Sequence, residues 1–136
     1  MPATYEPFHT TTLGSAVTDF TISSISSSYT DIILVMRYGT SAGADILVRF
    51  NSDSGANYNN RFAFNSGGAP TSFTAQQDTT TGINPRTPAN QPTSIGTLLF
   101  LEIFDYRSST WKSTMSRHTG AGGSSAFMSV ANGTWM

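Results

Sequence analysis

The stretch 31–50 reads DIILVMRYGTSAGADILVRF and limits the fold more tightly than any other. Two apolar runs, 32–38 and 46–50, flank a small, Gly-containing connection at 39–44. Strand-length runs rich in β-branched and aromatic residues, joined by such a connection, predict a β-hairpin. In the first run Ile32, Leu34, Met36 and Tyr38 fall on one face and Ile33, Val35 and Arg37 on the other. Both faces are largely apolar, which predicts a central strand covered on both sides. In the second run Ile46, Val48 and Phe50 alternate with Asp45, Leu47 and Arg49, the pattern of a half-buried strand.

The same strand grammar recurs along the chain. Segments 17–23, 60–65, 72–75, 95–106, 111–118 and 127–131 carry alternating or continuous apolar residues between Gly, Ser, Asn and Pro punctuation. Helix formers are scarce and no helical periodicity appears. The expected fold is therefore all-β, an antiparallel two-sheet β-sandwich of jelly-roll kind with about eight or nine short strands. With 136 residues the chain makes one domain. Pro2 and Pro7 mark residues 1–14 as an extended N-terminal arm. Residues 15–136 form the sandwich domain, with a long loop at 71–94 that sits over a neighbour or projects outward. Four of the six prolines, Pro70, Pro85, Pro88 and Pro92, lie in or beside that loop.

Composition narrows the function classes. Net charge is −1 and only 11% of residues are charged, so there is no basic stripe to neutralise phosphates, which argues against nucleic acid. No apolar run approaches the roughly 20 residues of a membrane span. The opening MPATYEPFHTTT has no basic or apolar region of signal-peptide kind. Cysteine is absent, which removes disulfides, thiolate metal sites and a thiol nucleophile. Ser and Thr fill more than a quarter of the chain. A near-neutral, hydroxyl-rich surface is weakly protected against self-association, and it suits an assembly or a glycan-binding face.

Candidate sites are few. Residues 51–57, NSDSGAN, place oxygen ligands at alternate positions, as a calcium loop does, but Gly is fifth rather than sixth and the flanks are strands. An Asp-Ser-Gly turn accounts for the pattern. His9 and His118 are the two histidines, and a Ser–His–acid set with Glu102 or Asp105 has no Gly-x-Ser-x-Gly behind it. Glu102 with Glu6 or Asp105 as a glycosidase pair rests on coincidence. No catalytic, cofactor or metal residues are assigned, and no enzyme activity is expected. Tyr58, Tyr106, Trp111 and Trp135 remain as glycan-stacking or subunit-interface aromatics.

The blocks Ala3-Thr4-Tyr5-Glu6-Pro7, Thr10 to Ala16 (TTTLGSA), Phe20 to Ile25 (FTISSI), Ser28-Tyr29-Thr30-Asp31, and Leu47 to Asn51 (LVRFN) with Asp53-Ser54-Gly55, Asn57 and Tyr58 follow one another in fixed order. Across residues 3–58 this order resembles a group of small virion proteins of tailed bacteriophages, cyanophages included. Beyond residue 58 the likeness is one of pattern alone, in the strand 98–106 and the late aromatic Trp135. The resemblance implies a non-enzymatic structural protein on the particle surface, assembled in the host cytoplasm. Its partners are other capsid or tail proteins and further copies of itself. A trimer is the form expected from how such particles are built. A short chain with no repetitive shaft favours a capsid decoration or cement protein over a tail or fibre head domain binding host carbohydrate. Similar proteins carry one or two more strands after the late aromatic. With the sequence stopping at Met136, either the chain is naturally short or its final strands are missing from the sequence, and a short sandwich would leave an open sheet edge available to another chain.

Overall fold

A computed structural model of the chain describes residues 5–39, 46–65, 74–85, 96–122 and 125–136. These residues are all-β, and among them no helix is long and apolar enough to cross a membrane. The strands are β1 (Ile32–Tyr38), β2 (Tyr58–Asn65), β3 (Thr74–Thr80), β4 (Thr97–Phe104), β5 (Lys112–Gly122) and β6 (Ser125–Trp135). They form one open antiparallel sheet in the order β1-β4-β5-β6-β2-β3. Of the eight or nine strands in two layers that the punctuation predicts, the described residues show six, in one sheet. The segment 17–23 forms no strand.

Residues opposite one another in an antiparallel ladder share a face. On the inner face, Met36, Leu99, His118, Ser129 and Phe64 form one row across five strands. Leu34, Leu101, Ser116, Ala131 and Phe62 form the next, and Ile32, Ile103, Thr114, Gly133 and Asn60 the third. The β1–β4 half of this face is aliphatic, whereas the β5–β6 half is small or hydroxyl-bearing apart from His118. That asymmetry lets irregular backbone approach β5 and β6 closely.

The backbone that approaches is the inner layer. Residues 46–50 do not pair with β1 as a hairpin arm. Instead Val48 exchanges both backbone hydrogen bonds with Ile83, at 2.9 and 2.8 Å, and the two segments lie over the inner face. Ile83 is buried in the core with Tyr58, Leu99 and Leu101, and Val48, Phe50, Ile25 and Tyr29 pack against that cluster. The alternation of 46–50 is present, with Leu47 and Arg49 outward, but it serves a cover rather than a sheet strand. Alternation reports one buried side and says nothing about which strand lies alongside. The connection 40–45 falls outside the described residues. The expected loop 71–94 contains β3 and the core anchor Ile83, while its stretches 71–73 and 86–94 fall outside the described residues.

Buried Asn60 of β2 holds the cover in place. Its Nδ2 donates to the Gly82 carbonyl at 3.1 Å and to Thr80 Oγ1 at 3.0 Å, and its Oδ1 accepts from the Asn84 amide at 3.1 Å. Arg49 Nε adds a bond to the Thr81 carbonyl at 2.8 Å. Where Ile83 crosses β6 the strand carries Gly133. A Cβ there would stand 2.6 Å from Ile83 Cδ1 and 2.7 Å from Thr114 Oγ1. A glycine inside a strand here marks a close approach of another side chain.

The outer face has no such layer among the described residues. Val35, Phe100, Arg117 and Val130 make one row, Ile33, Glu102, Met115 and Asn132 a second, and Leu98 and Met128 extend a third on either side of Thr119. Its large apolar side chains range from 36% exposed at Phe100 to 56% at Val35. The two-sided apolarity of β1 is therefore real, but among the described residues β1 is an edge strand, and on its second side Ile33 and Val35 are exposed.

Candidate binding cleft

The β4–β5 connection, the loop 51–57 and the end of β6 meet at one end of the sheet. The connection begins at Asp105, whose φ of 51° turns the chain out of β4. Its amide donates to Asp31 Oδ1 at 2.8 Å, and the next amide, of Tyr106, donates to the Thr30 carbonyl at 2.6 Å. These bonds tie the turn to the chain entering β1. Farther on, the Thr110 amide donates to Ser108 Oγ at 3.1 Å, and Lys112 Nζ donates to the carbonyls of Ser108 and Thr110. The buried lysine stem thus closes the turn from beneath, with its charge met by carbonyl dipoles.

Across from this turn, Asn51 and Ser52 occupy left-handed backbone, at φ of 52° and 59°. The Asp53 amide closes the turn on the Phe50 carbonyl at 2.9 Å. Asp53 then gathers three donors: Trp135 Nε1 at 2.7 Å, Asn57 Nδ2 at 3.0 Å and the Gly55 amide at 2.8 Å. The indole bond first, then Asn57 and Gly55, hold its carboxyl below the ordinary 3.8. The loop that resembled a calcium loop is an Asx turn whose carboxylate orients a tryptophan. Among the described residues no group of acidic or imidazole side chains is placed to hold a metal ion.

The four sequence-selected aromatics divide here. Tyr106, Trp111 and Trp135 line one open cleft of about 620 Å³, together with Asn51, Arg107 and a run of hydroxyl residues. Trp111 is 67% exposed, the largest free ring surface there. Tyr58 is instead fully buried beneath the cleft. Its ring stacks on Trp135 at 6.4 Å between centroids, and its hydroxyl accepts from the Phe50 amide at 3.0 Å and donates to the Asp53 carbonyl at 3.1 Å. Burial pushes the Tyr58 phenol above its ordinary value. Tyr58 therefore supports the cleft and offers no surface to a ligand. Arg107 was not singled out by the sequence, and Asn51 was weighed only as part of the turn 51–57 and of the resemblance. Only the proximity of their segments to Trp111 and Trp135 in space gives them a place.

The residues weighed for catalysis do not converge. His118 is buried on the inner face, where the Tyr38 hydroxyl meets Nε2 at 2.5 Å and the rings stack 5.6 Å apart. Glu102 lies on the outer face and pairs with Arg117 at 3.1 Å. Asp105 sits in the turn beyond β4, and His9 stands against Phe20 in the N-terminal segment. The cleft offers stacking surface and hydrogen-bond donors and acceptors, which is the chemistry of binding. Comparison with family models, with curated proteins and with solved structures gives no match.

Proposed function

We propose that the chain is a non-enzymatic structural protein of a bacteriophage particle surface, of the capsid decoration or cement kind. The outer face of the sheet carries this reading. A wide face rich in exposed apolar side chains on a small domain marks a surface that another chain occupies. Three titratable groups are engaged in structural bonds: His118 with Tyr38, Glu102 with Arg117 on the outer face itself, and Asp53 with Trp135. The ordered resemblance across residues 3–58 supplies the virion context. In this role many symmetric copies each contribute a modest contact, and avidity gives the shell its strength. The two-sheet sandwich expected from the sequence then belongs to the assembled protein. Electron microscopy of purified particles tests the assignment: copies on the capsid lattice agree with it, and copies confined to the tail overturn it.

The cleft favours a second reading, a tail or fibre head domain that binds host-surface carbohydrate. Sugars stack their apolar faces on exposed indoles and direct hydroxyls to flanking polar groups. Glycan-array binding that disappears with Trp111→Ala supports that role, and an array without binding counts against it.

A further inference from the structure

Resting on the assembly role proposed above, we infer that the outer sheet face pairs with the same face of a second copy across a two-fold axis. The axis passes close to Phe100 and Met115. Three observations select a second copy as the occupant.

The first is area. Eight large apolar side chains on this face are between a third and just over a half exposed. Together they present roughly 700 Å², so two copies hide about 1,400 Å², within the span of about 1,200–2,000 Å² that stable interfaces bury. The second is the distribution of charge. At the centre Glu102 is already neutralised within its own chain by Arg117, whose guanidinium also lies over the Phe100 ring at 6.0 Å. Arg37 and Arg61 stand at the borders of the apolar rows. The ion pair lies among the apolar side chains and further charge stands at the borders, and a centre neutralised within its own chain asks for a partner without opposing charge. The third is shape. An antiparallel sheet packs best on another twisted sheet about 10 Å away, with strands inclined by about 30°. A second copy supplies that twist and an equally neutral centre. It also completes the second layer that the two-sided apolarity of β1 calls for.

Sedimentation equilibrium and light scattering on the full chain test this pairing. The expected particle has twice the 14.5 kDa chain mass at micromolar concentration. Phe100→Glu should weaken it at least 100-fold. The substituted position is already partly exposed, so an unchanged circular dichroism spectrum shows that the variant still folds. Peroxide footprinting then locates the contact: Met115 and Met128 should oxidise several-fold more slowly in the dimer than in the Phe100→Glu monomer, with Met136 unchanged. A monomer at 100 μM, a trimer, or a dimer with Met115 and Met128 unprotected overturns the pairing. A dimer absent from purified particles removes the virion role and leaves the pairing standing. A monomer found on particles does the reverse.

Discussion

At the scale of single residues, two positions carry more of the structure than their types suggest. Gly133 lies in the middle of β6, where a side chain would normally improve packing. Here its missing Cβ is the space that Ile83 fills, and Ile83 and Thr114 both stand well inside contact distance of any added methyl. Ile83 is fixed through its backbone pairing with Val48, so it has little room to retreat. Gly133→Ala is expected to destabilise the chain by about 2 kcal/mol through overpacking, measured by urea unfolding. Asp53 works through charge. Its folded carboxyl titrates below the ordinary 3.8, so its contribution is complete above that pH and is lost as pH falls through the depressed folded value. Asp53→Asn removes the titration. The difference in Tm between wild type and variant should therefore be constant above about pH 5 and shrink as the pH falls below that. Trp135 fluorescence should report the same transition, because the carboxylate accepts its indole N–H.

At the scale of elements, the described residues 46–50 and 82–85 cover the inner side of the sheet. This cover hangs on Asn60, which satisfies the Gly82 carbonyl and the Asn84 amide at once. Asn60→Ala strands both buried groups and should cost about 2–4 kcal/mol. Hydrogen exchange should show the Val48 and Ile83 amides losing protection while the β4–β5 ladder keeps it. These elements were unequally legible in the sequence. β4 could be read directly, because its run of apolar residues has no other use in a short chain. The strand 46–50 was legible as half-buried but not as a cover, since alternation is identical whether the neighbour is β1 or Ile83. The inner face of β5 was hidden, because Thr114, Ser116 and His118 look like a solvent face. They are buried where other segments pack across them. Of the candidate site, Trp111 and Trp135 could be chosen by type, and Tyr58 with them. Only the three-dimensional arrangement separates the buried support from the exposed rings. Arg107 was invisible because nothing in a turn sequence tells which turns will face each other.

At the scale of the whole molecule, the described residues form a six-stranded sheet with one face covered by irregular chain and large apolar side chains exposed on the other. Burying that face in a second copy ties folding to association. A ligand that binds only the folded state stabilises it by mass action, and in a homodimer the ligand is the protein itself. Each tenfold rise in chain concentration adds about 1.4 kcal/mol per dimer. Shared over the unfolding entropy of both chains, that amounts to about 2 °C in Tm. Calorimetry from 2 to 200 μM should therefore raise Tm by about 4 °C for the wild type. Phe100→Glu, which places a carboxylate in the centre of the face, should give a Tm that does not move with concentration. A wild-type Tm equally insensitive to concentration would mean that the sheet carries its exposed face alone. The low surface charge would then have to be explained by contacts with other proteins of the particle instead.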